Sequence, residues 1–233
     1  ELWDPATGET FPISVFEAGD AHITIPLSLA AYESYFVVFG AGTGASKFLG
    51  VNGPDPLIRY TADGFYFPEQ GEYELRKEDG VEKIGTENRR IVIDGEWKVT
   101  FPENWGAPAA VTFPSLMSWT ESTDAGVRYF SGIGTYHKEF DFSLPFDKES
   151  ESVFLDLNDL AEVGEVWLNG TSLGITWSKP HRFDITDHVR QGSNELKIEI
   201  ANTWSNRLTG DGITGEKFTQ TNIGKANKFV TEW

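Results

Sequence analysis

Two short segments hold the residue types best suited to gripping a sugar ring. Trp177, His181 and Arg182 lie between two extended runs, and Asn202, Trp204, Asn206, Arg207 and Asp211 lie where the last clear extended run ends. A flat indole face can cover the C–H-rich side of a pyranose. A guanidinium fork and side-chain amides can meet its hydroxyls, in keeping with the usual mix of apolar walls and a few placed polar groups. The competing reading is packing. Trp177 and Trp204 would then be core or interdomain residues, and Arg207 would pair with one of the many carboxylates.

Other chemistries find less support. Hydrolysis of a glycosidic bond needs two carboxylates at a fixed separation, one as acid and one as base or nucleophile. With 36 acidic residues in the chain, some pair will be close by chance. None lies in a recognisable strand-end context of a (β/α) barrel, so no catalytic residue is assigned. Asp156, Asn158, Asp159 and Glu162 cluster in LDLNDLAEV and could offer oxygen ligands to a structural calcium. Leu155 and Leu157 alternate with them, which an ordinary strand ending in a polar turn explains better. No other cofactor is expected. The four histidines, His22, His137, His181 and His188, lack metal-ligand spacing. The run GAGTGAS, Gly40 to Ser46, lacks the Lys-Ser/Thr of a phosphate loop and reads as a flexible loop. Asn169-Gly170-Thr171 matches a glycosylation sequon, but a hairpin turn accounts for it better.

The elements that must position these residues read as strands. In EVWLNGTSLG, Glu165 to Gly174, a β-favouring run meets Asn169-Gly170, two residues that tolerate positive φ. That is a strong signal for a type I′ β-hairpin. After Gly126 the strands come at short, regular spacing, as in a sandwich or barrel. TDHVRQG, Thr186 to Gly192, offers at most one helical turn, with Thr186 as cap. No helical pattern of convincing length appears elsewhere. Upstream, HITIPLSL (His22 to Leu29) alternates, SYFVVFG (Ser34 to Gly40) reads as a buried strand, and Gly40 to Asp63 reads as a long loop. Two further strands flank Asp79-Gly80. The polar run Thr86 to Arg90 marks a boundary. The expected fold is all-β, with a β-sandwich over 1–88, a second sandwich over 89–211, and a tail over 212–233 with Phe218, Phe229 and Trp233 as candidate anchors.

Composition narrows the partners. The formal net charge of -17 repels a nucleic-acid backbone and an anionic membrane surface, and leaves neutral sugars unaffected. The chain has no cysteine, which removes disulfides, thiolate metal sites and cysteine nucleophiles. No apolar run is long enough to span a bilayer. The only methionine is Met117, so the chain reads as a piece of a longer protein.

The order GTYHKEFDF (Gly134 to Phe142), EVWLNGTSLG, HRFDITDHV (His181 to Val189) and NELKIEIANTWSNRL (Asn194 to Leu208) resembles the jelly-roll sugar-binding domain of family 2 glycoside hydrolases. It looks most like the version near the C-terminus of the family 106 α-L-rhamnosidases. ELWDPATGE and YESYFVVFG resemble the β-rich segment that follows the barrel there. IDGEWKVTF, FPSLMSWT and GVRYFSGIGTY resemble the entry to the jelly roll. The likeness runs from Glu1 to Asp211, and Gly212 to Trp233 depart from it. It implies a galactose-binding-like jelly roll in a non-catalytic accessory region, periplasmic or secreted. Its partners would be a catalytic barrel of the same longer polypeptide and a glycan, such as a rhamnose-containing one. The catalytic glutamates of the family lie in the barrel, and none is carried over here. Two rival readings stay open: an autonomous carbohydrate-binding module, and a purely structural domain. Exposure of Trp177 and Trp204 separates them.

Overall fold

The computed structural model describes residues 1–13, 15–29, 31, 33–40, 48–55, 57–61, 64–67, 69–216 and 218–219. The chain forms two compact units, Glu1–Arg90 with Ser178–Pro180, and Ile91–Trp177 with His181–Trp233. Nearly all its regular structure is antiparallel β, as an all-β sandwich fold requires. No helix among the described residues is long and apolar enough to cross a membrane.

Among the described residues the first unit holds ten short strands: β1 (Leu2–Trp3), β2 (Thr10–Phe11), β3 (Glu17–Ala18), β4 (Ile23–Thr24), β5 (Phe36–Val37), β6 (Gly50–Asn52), β7 (Arg59–Thr61), β8 (Gly64–Tyr66), β9 (Gly71–Lys77) and β10 (Gly80–Thr86). Sheets β2-β1-β5 and β10-β9-β6 cover small cores built on Leu2, Phe11 and Leu57, and on Phe48, Ile58, Tyr73 and Leu75. The hairpin β9–β10 turns through Glu78-Asp79 into Gly80, as the sequence suggests. Three upstream expectations need correction. SYFVVFG forms a ladder with β1 at Phe36–Val37, extended by the backbone bonds between Val38 and Glu1, but Phe36 and Phe39 face solvent. Its inward-facing residue is instead the half-buried Tyr35, edge-on to Phe11. HITIPLSL pairs only at Ile23–Thr24; Pro26 lacks the N–H to continue a ladder. The long loop contains β6, which adds to the edge of β9, and β7. Such three-residue strands leave no alternation to read. Ala41 to Ser46, in the Gly-rich run read as a flexible loop, lie outside the described residues.

The second unit is the larger sandwich. Its strands are β11 (Trp97–Thr100), β12 (Ala110–Phe113), β13 (Ile133–Phe142), β14 (Phe154–Asp156), β15 (Val163–Leu168), β16 (Thr171–Thr176), β17 (Arg182–Asp184) and β18 (Gly192–Ala201). Six form one antiparallel sheet in the order β12-β11-β13-β18-β15-β16, and β14 pairs with β17. Alternation decides which side chains face inward. Tyr136 and Phe142 of β13, Leu196 and Ile198 of β18, and Val166 and Leu168 of β15 are buried. Leu155 and Ile185 meet them from the β14–β17 side. Trp97, Phe101, Phe113, Trp119 and Phe130 complete an aromatic core. Burying each such side chain contributes about 1.5–3 kcal/mol. Trp119 Nε1 donates to the Tyr136 hydroxyl at 2.6 Å, and burial raises the Tyr136 phenol above its ordinary pKa.

The turn at Asn169-Gly170 has φ 53° and 82°, as a type I′ hairpin needs. Between Thr186 and His188 the chain makes a single turn, with His188 and Val189 N–H donating to the Ile185 carbonyl. Its cap is Asp184, which accepts from Thr186 N–H, while Thr186 Oγ1 accepts from Val153 N–H. A short helix α1 (Ala125–Arg128) is capped by Asp124. A second helix, α2 (Ser205–Thr214), was not anticipated and ends on Gly215 in the left-handed region. Gly212 to Thr214, assigned to the tail, form its last residues. Phe218 is exposed, and Phe229 and Trp233 lie outside the described residues.

Candidate functional site

The register of the large sheet gathers strand ends. Gly164 pairs with Thr176 on one side and with Ile200 on the other, and Ala201 pairs with Ile133 and Val163. The last residues of β16 and β18 therefore leave from the same end of the sheet. Only β15 lies between them, so they are about 10 Å apart at two strand spacings. Trp177 follows β16, and Asn202 follows β18.

In the first segment Trp177 is 62% exposed. His181 is not available to a ligand: it is 4% exposed, its Nδ1 lies 2.8 Å from Thr176 Oγ1, and its carbonyl accepts from Leu157 N–H. Its polar groups fasten the chain between β16 and β17. Arg182 sits opposite Asp156 in the β14–β17 ladder, with Nη2 donating to Asp156 Oδ2 at 3.1 Å and its guanidinium 5.8 Å from the Phe154 ring centre.

In the second segment Asn202 also serves the fold. Its Nδ2 donates to the Phe130 carbonyl at 3.0 Å, and its Oδ1 accepts from Gly132 N–H at 2.9 Å. Trp204, 59% exposed, precedes α2 and makes no side-chain cap bond. Asn206 is half-buried in the first turn of α2. Arg207 follows; its N–H donates to Ser131 Oγ at 3.0 Å and its Nε donates to Asp211 Oδ1 at 2.9 Å. The guanidinium lies 4.7 Å from the Phe218 ring centre and 5.9 Å from that of Tyr129. Asp211 Oδ2 accepts from Thr219 N–H at 2.9 Å and Oγ1 at 2.7 Å. Burial alone would raise the Asp211 carboxyl, but the Thr219 hydrogen bonds and the Arg207 charge outweigh it and hold its pKa below the ordinary value.

Residues 130–230 match the family profile described as "Glycosyl hydrolase 2 galactose-binding domain-like". That stretch is a galactose-binding-like domain of the glycosyl hydrolase 2 type. The chain as a whole resembles the solved rhamnosidase from Novosphingobium sp. PP1Y, with a TM-score of 0.69 and 34% identity over 95% of this chain and 17% of that one. A putative beta-glucuronidase of Formosa agariphila is 40% identical over 143 residues, 61% of this chain and 12% of the relative. A second putative beta-glucuronidase of that organism is 25% identical over 115 residues, 47% of this chain and 10% of the relative. The chain thus spans a small part of each of these proteins.

The galactose-binding-like domain divides the sequence candidates by role. Trp204, Asn206, Arg207 and Asp211 lie on or next to α2, which Asn202 joins to β18. Trp177, His181 and Arg182 belong to the β16–β17 segment. Trp177 and Trp204 share exposure, which removes the core-packing reading for both. The sequence reasoning missed Tyr129, Ser131 and Thr219 as neighbours of Arg207 and Asp211. Only Phe218, noted as an anchor, carried a signal. Among the described residues no group of His, Asp and Glu could hold a metal ion. The calcium candidates Asp156, Asn158, Asp159 and Glu162 form no such group. Asp156 is occupied by Arg182 and by the Asn158 N–H, and Asn158 and Glu162 adopt positive φ in the turn that follows. The Asn169 amide of the sequon donates to the His188 carbonyl and to Asn194 Oδ1, as a structural tie.

Proposed function

We propose that this chain is a non-catalytic accessory region of a glycoside hydrolase, which supports the catalytic barrel of the same longer polypeptide and contacts its glycan. The observation that carries this reading is a galactose-binding-like sandwich with Trp177 and Trp204 both solvent-facing where β16 and β18 end together. The small share of its relatives that the chain spans supports a role beside a larger catalytic part. The likeness to a rhamnosidase makes rhamnose-containing glycans the first substrates to try.

The longer enzyme, with and without this region, should be compared on aryl α-L-rhamnosides and on pectic oligosaccharides. Removal should lower thermal stability of the barrel and raise KM on the oligosaccharides more than on the small aryl substrates. Unchanged stability and kinetics would refute the accessory role. Turnover by this chain alone, dependent on one of its acidic residues, would refute the non-catalytic assignment. The exposed tryptophans equally suit an autonomous carbohydrate-binding module. That second reading gains if the isolated chain retains glycan affinity while the barrel is indifferent to its loss.

A further inference from the structure

The guanidinium of Arg207 is held, yet not used up. Its Nε is committed to Asp211, and two aromatic rings lie close by. The side chain is only 16% exposed. Its two terminal nitrogens make no hydrogen bond among the described residues, whereas the sole buried side-chain polar atom lacking a partner there is Trp97 Nε1. Nη1 and Nη2 therefore reach solvent. Their surroundings are fixed by backbone. A Cβ placed on Gly106 would lie 4.0 Å from Nη1, and one placed on Gly210 would lie 2.6 Å from Nη2 and 2.7 Å from Tyr129 Cβ. Trp105, next to Gly106, is 59% exposed and packs its ring edge against Gly132, the residue that Asn202 clamps.

We propose that Nη1 and Nη2 of Arg207 form a subsite for the vicinal hydroxyls of a neutral sugar, with Trp105 as its apolar wall. This rests on the reading above that the region contacts glycan. The end-on edge of a guanidinium presents two parallel donors, which two adjacent hydroxyl oxygens can accept. A uronate carboxylate could take the same two donors. Two features favour the neutral ligand. The Asp211 carboxylate already balances the Arg207 charge, and the chain's net charge of -17 opposes an approaching anion. Arg182 is the weaker choice, because Nη2 is spent on Asp156.

The test is a titration of the whole 233-residue chain, followed by the guanidinium and indole NMR signals. The probes are methyl α-L-rhamnopyranoside, which is neutral, and methyl β-D-glucopyranosiduronate, which carries a carboxylate. The neutral glycoside should shift the Arg207 and Trp105 signals with a Kd of about 1 mM or weaker. Arg207→Gln should weaken it about tenfold, and the uronate should bind no more tightly. Because Arg207→Gln can also loosen α2, Trp105→Ala provides a second variant that leaves the Arg207–Asp211 pair intact and should weaken binding too. Failure of the neutral glycoside to move either signal overturns the proposal, as does binding that disappears only in Trp177→Ala. Tighter, salt-sensitive binding of the uronate overturns the ligand class. The accessory role is judged separately, by deletion from the longer enzyme.

Discussion

Asn194→Ala should be among the most damaging single changes in the larger sandwich. Asn194 is 2% exposed and uses its whole hydrogen-bonding capacity. Nδ2 donates to the carbonyls of Arg190 at 2.7 Å and Gly192 at 2.9 Å. Oδ1 accepts from Arg190 N–H at 2.8 Å and from Asn169 Nδ2 at 2.9 Å. The side chain thus closes the loop into β18 and ties it to the tip of the β15–β16 hairpin. Four net hydrogen bonds at about 1 kcal/mol each set a scale of about 4 kcal/mol. Arg190 and Gln191 are exposed, so water recovers part of that loss. The expected cost is about 3 kcal/mol, or about 9 °C in Tm for a domain of this size. Asn194→Asp should cost at least as much, since it turns both donors into an acceptor facing two carbonyls. The assay is urea unfolding followed by tryptophan fluorescence, because Trp97 and Trp119 report on this core. A cost below about 1 kcal/mol for Asn194→Ala would refute the reasoning. An unaffected Asn194→Asp would equally refute it, because one carboxylate oxygen must then face the Arg190 and Gly192 carbonyls.

Gly170→Val should cost about 1 kcal/mol or more, and Gly170→Ala nearly as much, because no atom lies within 4 Å of the added Cβ and the penalty is purely that of positive φ. An unchanged denaturation midpoint would contradict the assigned turn. Gly210→Ala should destabilise by about 1–2 kcal/mol even though alanine is the better helix former, since its Cβ would press on Tyr129 and Arg207. A gain in Tm would argue that α2 sits further from Tyr129. For Asp211 the folded pKa is depressed, so its stabilisation is present above the unfolded carboxyl value of about 3.9 and is lost as pH falls through the folded value. The stability gap between wild type and Asp211→Asn should therefore be constant near neutrality and shrink in acid, and a gap that stays the same in acid would count against the carboxylate's role.

What could be read from the sequence was local. Asn169-Gly170 announces its turn because the required φ values are a property of those two residues. The strands around it are legible because inward positions alternate with polar ones over several residues, as in β13 and β18. Helix α2 was hidden by its composition. SNRLTGDGIT contains two glycines and two threonines, all poor helix formers. Gly210 is there because the helix passes too close to Tyr129 for a side chain, a constraint that only the tertiary fold imposes. Had the helix been recognised, Arg207 and Asp211 would have stood out as an i,i+4 pair. The roles of His181 and Asn202 were unreadable for a similar reason. Asn202 takes its partners from Phe130 and Gly132, some seventy residues away. SYFVVFG misled because its strong β-propensity says nothing of which face is covered.

The candidate sugar residues thus sort by whether their polar atoms are already engaged. His181 and Asn202 hold loops against strands, and Arg182 closes a cross-strand pair with Asp156. Each looks like a recognition residue by type, yet its hydrogen bonds are made within the fold. Arg207 alone among them combines a fixed Nε with two terminal donors left open, and Trp105, Trp177 and Trp204 keep their rings in solvent. Recognition needs groups that are held by the protein but not satisfied by it. A side chain already fully paired must lose those bonds before it can serve a ligand, at about 1 kcal/mol or more for each. By that criterion the α2 end of the domain is better prepared for a glycan than the β17 segment, although both carry an arginine beside an aromatic ring.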